Sequence, residues 1–166
     1  MIFLIGMPGA GKTYWGKKIA EAYDMEFTDL DAFIAKKEKA EIATLFEIDG
    51  EEGFREKENI YLERLIATLP ENAVLSAGGG TPCFFKNMDM MLEAGEVIYL
   101  QATVDQLLMN LKSDTTKRPL LKGKADLAGY LRAVLDERKE DYERAQHILQ
   151  TQDISITTFG KILTHV

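Results

Sequence analysis

Residues 2–13 read Ile2-Phe3-Leu4-Ile5-Gly6-Met7-Pro8-Gly9-Ala10-Gly11-Lys12-Thr13. From Gly6 to Thr13 the stretch fills every fixed position of the phosphate-binding pattern G-x-x-x-x-G-K-[ST]. Its flanks agree: the four apolar residues before Gly6 read as a buried strand, and Tyr14–Asp24 reads as a helix. Glycines let the backbone turn its N–H groups inward around a phosphate, and the helix adds the partial positive charge of its N-terminus. Lys12 is spaced to reach the β- and γ-phosphates, and the Thr13 hydroxyl to ligate Mg²⁺. The other reading, a chance glycine-rich turn, has to explain every fixed position at once. The stretch predicts an α/β chain that binds a nucleoside triphosphate.

A net charge of −7 over 166 residues argues against general nucleic-acid binding, which needs a basic footprint. It also means that an anionic substrate must be held by locally placed cations against an unfavourable overall field. The composition, 46% hydrophobic and 28% charged, suits a soluble globule of one domain. Cys83 is the single cysteine, so an intrachain disulfide and a cysteine zinc site are both excluded, which fits a reducing cytosol. The first apolar run enters the glycine loop after a few residues and is neither a signal peptide nor a membrane span. We expect a cytoplasmic monomer without nucleic-acid or membrane partners.

Short apolar runs alternate with amphipathic stretches along the chain, a pattern of βα units around a parallel sheet. The strands expected are Ile2–Ile5, Glu26–Asp29, Ala73–Ala77, Val97–Leu100 and a weaker one at His147–Gln150. Helical periodicity fills the interval from Ala32 to Leu69. Within it, Asp49-Gly50-Glu51-Glu52 reads as a turn with a capping box. A second irregular segment, Lys112–Lys124, is rich in Lys, Thr, Asp and Gly and reads as an exposed loop between two helical patterns. One domain over residues 1–166, with excursions at about 32–60 and 112–124, is the economical description.

Five further groups carry potential chemistry. Asp29 and Asp31 fall at the carboxyl end of the second strand, where open α/β sheets place their ligands. A carboxylate there can activate a hydroxyl for attack on phosphorus or hold Mg²⁺; alternatively, Asp31 is the N-cap of the helix that follows. Arg55 and Glu58, one helical turn apart, form either an anion clamp or an exposed ion pair worth ~0.3 kcal/mol. Gly78-Gly79-Gly80 follows the third strand directly; a plain turn explains one or two glycines, whereas three favour close backbone approach to a ligand. Arg118, in Arg118-Pro119-Leu120-Leu121, is either a solvated arginine or a lid residue that brings charge to a transferring phosphoryl group. Arg138 shares a helical stripe with Leu131, Leu135 and Tyr142 yet sits inside a run of charges, and the two signals leave it open. His147, His165 and Cys83 have no ligand spacing or activating neighbour and read as structural.

In this order, GMPGAGKT at 6–13, the D-x-D of Asp29 and Asp31, D-G-E-x-x-F-R-x-x-E from Asp49 to Glu58, GGG at 78–80, RPLL at 118–121 and E-R-x-x-x-Y at 137–142 resemble the shikimate kinases over nearly the whole chain. The resemblance implies a nucleoside-monophosphate-kinase-like fold of the P-loop type: a five-stranded parallel sheet with flanking helices, a helical substrate-binding excursion and a lid. It implies Mg²⁺-dependent transfer of the γ-phosphoryl group of ATP to the 3-hydroxyl of shikimate, a step toward aromatic amino acids. Carried over by position, Lys12, Asp31 and Arg118 become catalytic, with Asp31 gripping and activating the hydroxyl. Arg55 and Arg138 clamp the shikimate carboxylate, Glu58 orients Arg55, and the Gly78, Gly79 and Gly80 backbone contacts the substrate. Gly9, Ala10, Gly11, Lys12, Thr13, Tyr14, Arg118 and Gln152 hold ATP, and Thr13 with Asp29 holds Mg²⁺.

The chain departs from that pattern where many relatives bracket adenine with arginines. Here Met109-Asn110-Leu111-Lys112 and Thr151-Gln152-Asp153 stand in their place, and Tyr14 and Trp15 are bulkier than usual. Two rivals remain at this point. One is another small-molecule kinase of the same fold, for gluconate or a nucleoside monophosphate. The other is a nucleotide-regulated binding module without phosphoryl transfer.

Overall fold

All four residues of β1 (Ile2–Ile5) and all four of β3 (Ala73–Ser76) are buried. A strand covered on both faces reads as an unbroken apolar run rather than an alternation. Together with β2 (Glu26–Asp29), β4 (Glu96–Gln101) and β5 (His147–Gln150), they form a five-stranded sheet of order β2-β3-β1-β4-β5. Every pairing is parallel: Phe3 lies beside Leu75 on one side and Val97 on the other, Thr28 beside Leu75, and Tyr99 beside Ile148. The computed structural model describes residues 1–113 and 126–163. Arg118, His165 and nearly all of the irregular segment at 112–124 lie outside those residues.

Among the described residues, seven helices flank the sheet: α1 (Lys12–Tyr23), α2 (Leu30–Glu38), α3 (Ile42–Thr68), α4 (Asn87–Ala94), α5 (Val104–Ser113), α6 (Leu127–Tyr142) and α7 (Ile156–Leu163). The helix after the phosphate loop begins at Lys12, two residues before the expected Tyr14. Lys112 and Ser113 belong to α5 rather than to a loop. Two eight-residue helices, α4 and α7, were absent from the sequence reading, because two turns carry too few repeats for a period to show. α7 seals one side: its buried Phe159 lies 5.5 Å from the Trp15 ring of α1.

Two local expectations change. Asp29, not Asp31, is the N-cap of α2: its Oδ1 accepts the Ala32 N–H at 3.2 Å, and Asp31 stands in the first helical turn. The helical interval after Asp31 breaks into α2 and α3, and α3 is interrupted at Gly50 (φ 69°, ψ −177°), at the turn expected there. The Asp49 carboxylate pairs with Lys57 Nζ at 3.0 Å. Lys57 also donates to Glu38 Oε2 at 2.7 Å, and Tyr61 Oη donates to Glu38 Oε1 at 2.5 Å. The hydrogen bond from Lys57 holds the Glu38 carboxyl below its ordinary pKa and raises that of Lys57 in return. These contacts fasten α2 to α3.

A parallel sheet brings the carboxyl ends of all its strands to one edge, where ligands of open α/β sheets bind. β1 ends in the phosphate loop, β2 in Asp29, β3 in Ala77 and the three glycines, and β5 in Thr151. The turn out of β1 is tight. Gly6 has φ 138°, and a Cβ placed on it meets the Leu100 carbonyl oxygen of β4 at 2.7 Å. Gly6→Ala combines a strained φ with a clash against backbone that cannot rotate away. It is expected to cost at least about 2 kcal/mol of stability, read as a fall in the urea midpoint at unchanged slope.

Candidate active site

A cleft of about 1400 Å³ opens at that edge of the sheet. The phosphate loop forms its floor, Asp29, Asp31, Arg55 and Glu58 one wall, and Arg138 of α6 another. Lys12 is buried, and its Nζ donates to the carbonyls of Gly6 and Met7 at 2.8 and 3.1 Å. Thr13 Oγ1 donates to Asp29 Oδ2 at 2.7 Å. Asp29 thus uses one oxygen to cap α2 and the other to hold the loop hydroxyl.

Gly78, Gly79 and Gly80 all have φ outside the positive range. Their need is for space, and each meets a different part of the site. A Cβ on Gly78 would lie 2.7 Å from Glu58 Oε1, 2.9 Å from Asp31 Oδ1 and 2.9 Å from Thr81 Oγ1. On Gly79 it would meet Pro8 Cδ of the phosphate loop at 2.8 Å and Arg138 Nη1 at 3.3 Å. On Gly80 it would fall within 2.4–2.7 Å of the Arg55 guanidinium. The glycines make room for the site's own side chains, a reason the sequence reading, which reserved the space for a ligand, did not reach.

Arg55 is buried, with 7% of its surface exposed, so it is no surface ion pair. Its Nη1 donates to Glu58 Oε2 at 2.9 Å, and Glu58 is only 1% exposed. Its Nη2 reaches Glu51 Oε1 at 3.4 Å, and its Cζ lies 4.4 Å from the centre of the Phe84 ring. Removing one partner of such a pair leaves a buried charge uncompensated, at a cost of roughly 3–5 kcal/mol. Arg138 is half-buried and faces the cleft, while its neighbours Asp136, Glu137, Lys139 and Glu140 are exposed. Of its two sequence readings, the apolar stripe describes its place better than the charge run does. Four residues on, Tyr142 Oη donates to the Gly79 carbonyl at 2.5 Å. Burial raises the pKa of this phenol, so it stays a neutral donor. Burial likewise pushes the Cys83 thiol up to about 12, which leaves it protonated and unreactive at neutral pH.

At the far end of the cleft, Tyr14, Gln106, Met109, Asn110 and Thr151 line the walls. Gln152 stands beside Thr151 and accepts from Gln106 Nε2 at 3.1 Å. Asn110 Nδ2 donates to the Gly9 carbonyl at 2.8 Å and braces the phosphate loop, and Leu111 is buried under Gly9. Met109 and Asn110 fall at the base end, as their place in the chain suggested, while Gln106 was not among the residues expected there. Its i, i+3, i+4 spacing to Met109 and Asn110 on α5 is the signal that could have found it. Among the described residues no helix is long and apolar enough to cross a membrane.

Comparison with known proteins draws these observations together. A sequence model of the family described as shikimate kinase matches residues 8–166. The chain is 47% identical over 124 residues to a shikimate kinase of Azobacteroides pseudotrichonymphae, covering 75% of this chain and 72% of that one. The crystal structure of shikimate kinase from Bacteroides thetaiotaomicron superposes with a TM-score of 0.93 at 34% identity, covering 98% of this chain and 97% of that one. Shikimate kinase from Acinetobacter baumannii in complex with shikimate gives a TM-score of 0.87 at 32% identity over 99% and 90% of the two chains. Agreement over nearly the whole length in sequence and backbone alike means that the chain belongs to the shikimate kinase family.

Proposed function

We propose that the chain transfers the γ-phosphoryl group of ATP to the 3-hydroxyl of shikimate, assisted by Mg²⁺. The observation that carries this reading is the crowding around Gly78–Gly80. Asp31, Arg138 and Arg55 each abut one of three consecutive residues, and Pro8 of the phosphate loop abuts the middle one. A hydroxyl acceptor and two cations for a carboxylate thereby converge beside the phosphate loop. Shikimate offers one carboxylate and several hydroxyls, and guanidinium groups suit the carboxylate.

Within this reading, Lys12 leaves the Gly6 and Met7 carbonyls for the β- and γ-phosphates. Arg55 and Arg138 fix the carboxylate, and Asp31 accepts the proton of the attacking hydroxyl. Positioning and charge stabilisation supply most of the catalysis in phosphoryl transfer, since the protein has little covalent work to do. For Mg²⁺ the donor set fits. The Thr13 hydroxyl and Asp29 carboxylate are hard oxygen donors already 2.7 Å apart. No group of three or more His, Cys, Asp or Glu side chains with metal-holding geometry occurs among the described residues. One or two protein oxygens, completed by phosphate and water, are what Mg²⁺ takes in such sites. When bound, the ion neutralises charge developing on the phosphate oxygens. The single cysteine supports a cytoplasmic setting, and the convergence of Lys12, Asp31, Arg55 and Arg138 of one chain on one cleft supports a monomer.

With Mg²⁺ present, shikimate should stimulate ADP release from ATP where gluconate and AMP do not. Equal stimulation by all three would overturn the assignment. Asp31→Asn keeps the shape but removes the proton acceptor, so kcat should fall by ~10²–10⁴ with little change in ATP affinity. Because the α2 cap is Asp29, the variant should melt like the parent. Near-normal turnover would return Asp31 to a structural part.

The base end generates a third expectation. Gln106, Met109 and Thr151 offer no cation to stack on a purine, a contact worth ~0.5–2 kcal/mol. Triphosphate contacts then dominate, and kcat/KM for ATP should exceed that for GTP by well under three decades, or about 4 kcal/mol. Steady-state kinetics with both nucleotides at saturating shikimate decide it.

A further inference from the structure

Glu58 is a buried carboxylate, and both of its oxygens need partners. Arg55 satisfies Oε2. The hydroxyl of Thr81 satisfies the other, donating from Oγ1 to Oε1 at 2.6 Å. Thr81 is fully buried at the first position of the 3-10 turn Thr81–Cys83, which follows the three glycines. It is itself pinned. Its N–H donates to the Gly78 carbonyl at 3.2 Å, and its own carbonyl accepts from Asn87 Nδ2 of α4 at 2.9 Å. Asn87 is also fully buried, and its Oδ1 accepts from Asn59 Nδ2 at 2.7 Å. Asn59 follows Glu58 directly in α3, so the chain of hydrogen bonds leaves α3 at Glu58 and returns to it one residue later.

We propose that Thr81 is a positioning residue for the acceptor substrate: its hydroxyl sets the plane of the Glu58 carboxylate, and through it the aim of the Arg55 guanidinium. The inference rests on Arg55 holding the substrate carboxylate. Its geometric basis is the shared space at Gly78, where Glu58 Oε1, Asp31 Oδ1 and Thr81 Oγ1 all lie within 3 Å of one point. Two carboxylates brought together there repel each other. A hydroxyl donor draws Glu58 Oε1 toward the 3-10 turn, which leaves Oε2 facing Arg55. Members of a buried network polarise one another, so losing one donor is felt along the chain. Without it, Glu58 can rotate, and the guanidinium loses its fixed direction.

The test is calorimetric titration of shikimate and of ATP into the intact chain and its variants. Thr81→Val, nearly isosteric but without the hydroxyl, should raise the Kd for shikimate about tenfold and leave that for ATP within about twofold. Thr81→Ser, which restores the donor, should return shikimate binding to within about twofold of the parent. A merely structural threonine would lower the melting temperature and weaken both ligands together, with no such split. Thr81→Ala, read in the same way, serves if valine is not accommodated. Arg55→Lys separates the two levels of the reading. If it weakens shikimate while Thr81→Val and Thr81→Ala bind shikimate as the parent does, the positioning inference alone is overturned. If Arg55→Lys leaves shikimate binding unchanged, the carboxylate clamp fails and the positioning inference with it.

Discussion

The missing β-carbons of Gly78, Gly79 and Gly80 are the constraint around which the cleft is built. Pressed against the places where Cβ atoms would sit are a carboxylate pair with a hydroxyl, the edge of a proline with an arginine, and a guanidinium. Any larger residue in these three positions has to move groups that are themselves held: Glu58 by Arg55 and Thr81, Arg138 on the stripe of α6, Pro8 in the phosphate loop. Interiors are packed to crystal density and transmit such displacements rather than absorbing them. The β3 exit therefore acts as a gauge that sets how far the acidic wall, the α6 arginine and the phosphate loop stand from one another. Tyr142 fixes the same exit from the opposite side by bonding the Gly79 carbonyl.

Charge is managed locally within an acidic chain. Arg55 would be costly to bury alone, and Glu58 likewise; together with the Phe84 face and the Thr81 hydroxyl they form a unit whose groups largely satisfy one another. Its net charge is near zero, so on the proposed reading it would draw an anion through directed N–H groups more than through a general field. Arg138 is less buried and carries the more exposed positive charge of the two. Exposed charges beyond a Debye length, about 8 Å at physiological salt, are largely screened. The chain's overall −7 is therefore a weaker obstacle to an anionic substrate than it first looks.

How legible this was depended on the range of the interaction behind each feature. β2 and β5 keep the expected bounds although their residues are exposed or half-buried, and β3 and β4 differ by one residue at their ends. β1 follows its apolar run to the residue, because burial on both faces is written in consecutive side chains. The phosphate loop is legible for the same reason. The cap of α2 was misplaced: Asp29 and Asp31 both suit an N-cap, and only the Thr13 hydroxyl, sixteen residues away in sequence, orients Asp29 for it. Arg55 stood undecided between surface and site because an i, i+3 pair looks the same in either. What buries it is contact with Phe84 and the backbone of Gly80, both distant in sequence. Thr81 and Asn87 carried no local signal at all, since their meaning lies in a network that returns to α3 through two other elements.

The D-x-D spacing gains a physical reason from the same geometry. Residues two apart at the start of a helix point in different directions. Asp29, still extended at φ −101° and ψ 120°, turns its carboxylate to Thr13 and the phosphate loop. Asp31, one step into the first turn of α2, brings its Oδ1 to Gly78, beside Glu58 and Thr81. A single strand end thus sends one carboxylate to the phosphate loop and the other to the Gly78 side of the cleft. Because Asp29 caps α2, whatever holds Thr13 also fixes the first turn on which Asp31 rides. The phosphate loop and the helical turn that carries Asp31 are in this way joined through one backbone segment, Asp29–Asp31.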